Sequence, residues 1–292
     1  MPTSTGSTPV GEMLDRIVAW AQSSGDVQAV LLLGSHARVD VPADEWSDID
    51  LGVLVDEPAR YLDSSDWLDE FGPVLLTVVE PSAVGGGWER RVLFESGIDV
   101  DFNVVPAELA AALDDVIDDP HVRAVLGRGV RVLVDKLGRA SMLERVSAGP
   151  SVPAESISVT AYRTLSHAFW FSLLGAAKKL RRGEVWVAKT SCDGALQERI
   201  VELLAWNVRL QDPAADTWHR GRFLERWAGD TELRELRAAS AMYDADDVAR
   251  ALRCSADLFE RLETDCARRA GYPIAVAHAA VRAQLDRVLP VR

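Results

Sequence analysis

The sequence predicts an α+β chain: a mixed β-sheet flanked by helices, followed by an α-helical bundle. Two observations predict it. Short β-branched runs punctuated by Gly, Pro, Asp and Ser fill residues 27–135, whereas after the break Gly149-Pro150-Ser151-Val152-Pro153 the strand signal stops and long amphipathic stretches take over. A length of 292 residues with 48% hydrophobic and 26% charged content suffices for two packed domains, here placed at 1–148 and 149–292.

In order along the first domain, helical spacing at 11–23 precedes a strand at 27–33, and further strands are expected at 49–55, 74–79, 98–105 and 130–134. Helices are expected at 65–71 and 106–117, each with a Ser, Thr or Pro start signal. The glycine triplet Gly85-Gly86-Gly87 before Trp88 lacks the Lys of a P-loop and is expected to be a loop. In the second domain the helices are expected at 155–182, 184–210, 221–227, 232–243, 246–270 and 273–288. No internal repeat occurs, which argues against a solenoid.

Acids outnumber bases by 45 to 32, a net charge of −13, so a nucleic-acid backbone is repelled on average and a polycationic partner attracted. No apolar run reaches the roughly 20 residues of a membrane span, and the polar start MPTSTGSTPVGEM does not resemble a signal peptide. A cytoplasmic protein is expected, binding neither nucleic acid nor membrane and with a monomer favoured. Cys192, Cys254 and Cys266 have no metal-ligand or disulfide spacing and are expected to be reduced core thiols.

The chemistry concentrates where the first strand runs into Gly34-Ser35-His36-Ala37-Arg38 and Ser47-Asp48-Ile49-Asp50-Leu51 opens the next. Strand alternation aims Asp48 and Asp50 at one point while Ile49, Leu51, Val53 and Val55 enter a core. Paired carboxylates repel, and a shared proton or a divalent cation relieves them; hard oxygen ligands with room for water favour magnesium. Asp99, Asp101 and Asn103 share the outer face of a later strand, so a third carboxylate is available from either aspartate. The Gly-Ser turn offers backbone N–H groups and a hydroxyl to phosphate oxygens. A DxD alone is common; joined to a GS turn and a third acidic strand it becomes specific.

These residues resemble the DNA polymerase β-type nucleotidyltransferase superfamily. Within it, LLLGSHARVDVPADEWSDIDLGVLV, DWLDEFG, GIDVDFNVVPAEL, HAFWFSLLGAAKKL, LLAW and GRFLERW look like the streptomycin 6-adenylyltransferase family of aminoglycoside-modifying enzymes. The resemblance implies Gly34 and Ser35 as the triphosphate turn, with Asp48 and Asp50 as metal ligands. It selects Asp101, five residues before Pro106, as the third carboxylate, catalytic and shared with the metal, over Asp99. It implies Mg2+, ATP as co-substrate and AMP transfer to an aminoglycoside hydroxyl, streptomycin first, with antibiotic resistance as the corresponding role. Arg38, Arg222 and Tyr243 are the implied phosphate contacts.

Other residues carry weaker expectations. Asp99, Trp170 and Asp193 are substrate-binding candidates; Lys189, Asp193 and Gln197 recur at helical spacing beside an apolar stripe, where Asp193 could hold a cation. Trp67, Trp88 and Trp170 are candidates to stack on adenine or a sugar, whereas Trp186 and Trp206 are expected in the core. His36 is assigned no role, and the basic cluster Lys178, Lys179, Arg181 and Arg182 fits a helix C-terminus. The alternatives are the same fold acting on an RNA end, a protein or another small acceptor, or a non-catalytic binder. The first lacks a basic groove and the last is disfavoured by the complete set of acids.

Overall fold

A computed structural model describes residues 8–38, 43–82, 87–110, 126–141, 143, 157–217 and 220–289. The chain divides into two compact units, Met1–Val152 and Pro153–Arg292. The break expected at 149–153, the loop at Gly85 and Gly86, residues 111–117 of an expected helix and the N-terminal residues 1–7 lie outside the described residues.

Helix α1 (Pro9–Ser23) starts where Thr8 accepts the Gly11 N–H and Pro9 fills the first turn, and its Met13, Ile17 and Ala21 are buried at helical spacing. The strands are β1 (Val27–Leu32), β2 (Ile49–Val55), β3 (Val74–Pro81), β4 (Trp88–Phe94), β5 (Asp99–Pro106) and β6 (Arg131–Asp135). They form one sheet in the order β3-β4-β5-β2-β1-β6. Among the described residues only β2 and β5 pair in parallel, so the sheet is mixed as expected.

Strand β4 was not expected from sequence, because Glu89, Arg90 and Arg91 interrupt its apolar run. Alternation resolves it: Arg90, Val92 and Phe94 are buried while Arg91 is exposed. The buried Arg90 donates to the Tyr61 and Leu62 carbonyls at 2.8 and 2.5 Å, fastening the short helix α2 (Pro58–Asp63), and to Thr77 Oγ1 at 3.1 Å. The helix expected at 65–71 is a tighter 3₁₀ turn, Asp66–Glu70, and the one expected from 106 starts as a 3₁₀ turn, Ala107–Ala110.

The apolar side chains of β2 and β5 meet α1 and an aromatic cluster on one face. Each fully buried side chain of this size contributes about 1.5–3 kcal/mol. Trp67 belongs to this cluster, stacked on Trp20 at 5.3 Å with its indole N–H on the Ser64 carbonyl. That corrects its expected role as a stacking platform.

In the second unit, helix α3 (Val159–Arg181) is capped by Ser158. Helix α4 (Val185–Ser191) runs through a π turn, Cys192–Leu196, into α5 (Gln197–Gln211). Then come α6 (Leu224–Trp227), α7 (Asp230–Ala238), α8 (Ala245–Ala270) and α9 (His278–Val288). Phe169 of α3 and Phe259 of α8 stack at 3.6 Å in the core. Trp206 is buried, but Trp186 is 63% exposed, against expectation. Cys192 and Cys266 are buried, and burial pushes both thiols up to about 11, which suits inert core thiols; Cys254 is only partly buried. Among the described residues no helix is long and apolar enough to cross a membrane.

Candidate active site

Between β1 and β2 the chain makes a 3₁₀ turn, Gly34–Ala37, and the Leu33 N–H returns to the Asp50 carbonyl at 2.9 Å. Gly34 adopts φ 61°, and a Cβ there would lie 1.8 Å from Asp50 Oδ2. Only glycine lets the turn sit against that carboxylate. From the other side Gly129 approaches so closely that a Cβ would meet the Ala37 carbonyl at 2.7 Å. Ser35 is 5% exposed, and its Oγ has no hydrogen-bond partner among the described residues. His36 Nε2 lies 3.4 Å from the Ser47 carbonyl, tying the turn to the residue before Asp48.

The parallel register sets Asp50 of β2 beside Asp101 of β5. Carboxylate oxygens of Asp48, Asp50 and Asp101 all lie within 4.8 Å of one another, each residue partly buried. Three hard oxygen donors at this spacing, still open to water, fit a magnesium-like cation. Asp99 is exposed, stands opposite Leu93 and lies outside this group.

The antiparallel register of β4 sets Arg91 opposite Asp101, with its Nε 3.0 Å from Asp101 Oδ1 and Nη1 3.4 Å from Glu80 Oε1. Burial pushes the Asp101 carboxyl up to about 6; Arg91 opposes this, and the nearby charges of Asp48 and Glu89 add to it. The same pair raises Arg91, since each partner favours the charged form of the other, but for Asp101 desolvation outweighs the attraction. Sequence reasoning missed Arg91, Glu80 and Glu89. The signal for Glu89 and Arg91, their place on the face opposite the buried Arg90, Val92 and Phe94 of a strand starting at Trp88, shows only once β4 is recognised.

Comparison with known proteins identifies the lineage of this arrangement. The family model described as streptomycin adenylyltransferase matches residues 9–288. The chain belongs to the streptomycin adenylyltransferase family. Aminoglycoside 6-adenylyltransferase of Bacillus subtilis (strain 168) is 20% identical over 261 residues, covering 86% of this chain and 87% of the relative. Aminoglycoside 6-adenylyltransferase of Campylobacter jejuni is 22% identical over 212 residues, covering 68% and 67%. A crystal structure of an aminoglycoside 6-adenyltransferase from Bacillus subtilis aligns over 96% of this chain and 98% of its own, with 16% identity and a TM-score of 0.45.

Of the remaining residues singled out in this streptomycin adenylyltransferase family chain, Arg38 follows the turn, partly buried. The others, apart from Trp88, lie in the second unit. Trp170 is 2% exposed, and its indole N–H donates at 2.9 Å to the fully buried Glu263. It is a core residue with no face for a substrate, which corrects the expectation. Asp193 sits in the π turn, where Lys189 Nζ reaches its Oδ2 at 2.5 Å and the Ala241 N–H its Oδ1 at 2.9 Å. Its carboxylate is thus shared between an internal cation and a backbone group. Gln197 follows, with Nε2 buried and without a hydrogen-bond partner among the described residues. Arg222 is exposed and lies over the Phe223 ring at 5.1 Å, in a turn rather than the expected helix. Tyr243 is 66% exposed, past the end of α7, with its ring edge-on to Trp186 at 5.9 Å. Trp88 is 52% exposed at the start of β4.

Proposed function

We propose that this chain transfers AMP from ATP to a hydroxyl of an aminoglycoside, streptomycin being the first candidate, and releases pyrophosphate. The observation that carries the reading is the convergence of Asp48, Asp50 and Asp101 within 4.8 Å. The adjoining turn adds to it, with a buried Ser35 hydroxyl that has no hydrogen-bond partner among the described residues. Family membership and the names of the two relatives supply the class of donor and acceptor.

Asp48, Asp50 and Asp101 are the residues to hold magnesium, which when bound neutralises charge on the α-phosphoryl group and the leaving pyrophosphate. The turn at Gly34 and Ser35 binds the triphosphate through backbone N–H groups and the Ser35 hydroxyl. The acceptor oxygen forms a bond to the α-phosphorus as the bond to the β-phosphate oxygen breaks, and the electron pair leaves with pyrophosphate. Asp101, the third carboxylate of the group, is the residue to take the acceptor's proton. In the second unit Arg222 and Tyr243 are exposed, Asp193 is paired with Lys189, and Trp170 is buried in the core.

The test is mass spectrometry of a panel of aminoglycosides after incubation with the protein and Mg-ATP. Addition of AMP to one drug supports the reading. Unmodified drugs, with AMP found instead on a protein or another small molecule, would overturn the choice of acceptor.

A further inference from the structure

The proposed reaction leaves one cation of the site's own sheet face without a task. The strand registers place Asp50, Asp101, Arg91 and Val78 in a single row across β2, β5, β4 and β3. Two residues along, in the next row of the same face, Glu89 stands opposite Glu80. Arg91 therefore stands between two groups of acids, the aspartates on one side and this glutamate pair on the other. Its guanidinium spans them through Nε on Asp101 and Nη1 on Glu80.

We propose that Arg91 is a resident counter-ion that occupies Asp101 until a divalent cation takes the carboxylate. Arg91 then withdraws onto Glu80, and so sets how tightly the aspartates bind a cation before nucleotide arrives. This deepens, and rests on, the reading of Asp48, Asp50 and Asp101 as cation ligands.

Four features carry it. The Asp101 side chain is 14% exposed and that of Arg91 46%, so the arginine can withdraw into solvent while the aspartate stays in place. A guanidinium cannot be deprotonated in a protein, so it yields Asp101 only by moving and competes with any incoming cation as a fixed positive charge. Arg91 already touches its destination, because the Glu80 contact exists while Asp101 is still bound. That destination also gains, since Glu80 and Glu89 are like charges directly opposite each other on adjacent strands and a cation between them relieves their repulsion. Arg91 is thus a positioning residue. It holds the third carboxylate in the site and resists occupation by a lone cation.

The test is Mn2+ binding to the nucleotide-free, full-length protein, followed by electron paramagnetic resonance of the free ion, with circular dichroism to confirm the fold of each variant. Arg91→Gln is expected to bind Mn2+ about three- to fivefold more tightly, the span of a partly exposed ion pair. Glu80→Gln is expected to weaken binding by about twofold in the wild-type background and to have no effect once Arg91 is Gln, since its influence passes through the arginine. Unchanged or weaker binding by Arg91→Gln, while Asp48→Asn loses the site, overturns the counter-ion alone. A Glu80→Gln effect of equal size in both backgrounds overturns the pivot. Equal Mn2+ affinity of wild type and Asp48→Asn overturns the cation site itself, and Arg91's part with it.

Discussion

Asp101 carries the main electrostatic conflict of the site, a carboxylate pushed from the ordinary 3.8 to about 6 mainly by burial. Because the folded value lies above the unfolded one, the protonated form is favoured by folding. The stability it adds is fully present below about pH 4 and is lost as pH rises through about 6. Asp101→Asn, which mimics the protonated form, is therefore expected to be more stable than wild type by about 1–3 kcal/mol at pH 7.5 without divalent cations, the gap closing towards pH 4. Chemical denaturation at the two pH values checks this. The same substitution is expected to remove at least about 100-fold of transfer activity, whereas Asp99→Asn, on the exposed surface, changes it by about twofold or less. Steady-state rates with both variants decide between the two aspartates. Asp48 and Asp50 were legible in the sequence because alternation alone puts them on one face. Asp99 and Asp101 share a face by the same rule, so only the pairing of β2 with β5 separates them geometrically. Arg91 was not legible, since its meaning depends on standing opposite Asp101, and cross-strand register is not written in local sequence.

Helix α9 is fastened to the second unit by a small polar group under an apolar contact. His278 at its first residue meets the fully buried Glu263 of α8 through Nε2 at 2.9 Å, and that carboxylate also receives the Trp170 indole N–H. Arg282, one turn on, pairs with Glu260 at 2.8 Å, and Leu285 is buried beneath. His278→Ala leaves the buried carboxylate one partner short and is expected to cost about 1–3 kcal/mol, seen as a lower denaturation midpoint at unchanged slope. The long helices were legible from their apolar spacing, whereas the caps Ser158 and Asp244 set starts at Val159 and Ala245 rather than the expected 155 and 246. Elsewhere tertiary structure overrides local pattern. The π turn inserts at Cys192–Leu196 within one apolar stripe, and β4 hides two arginines that serve opposite faces of the sheet.

At the scale of the molecule, a net charge of −13 acts on any polycationic acceptor before contact. Steering of this kind is screened by salt, with a Debye length of about 10 Å at 0.1 M, so kcat/KM for an aminoglycoside is expected to fall several-fold between low and high ionic strength. A kcat/KM independent of salt would contradict a steering role. The change from a sheet with interleaved helices to helices alone was readable from texture, because the strand runs stop after about residue 135 and only helical spacing follows. The family followed from motifs in both parts, and the acceptor belongs to side-chain placement that periodicity does not encode. Asp48, Asp50 and Asp101 are proposed to form the centre for nucleotidyl transfer. Pyrophosphate release from Mg-ATP and streptomycin, measured side by side for wild type and Asp48→Asn, tests it most directly. Drug-dependent release by the wild type is expected to fall at least about 100-fold in a folded Asp48→Asn protein; near wild-type turnover in that variant would rule this centre out.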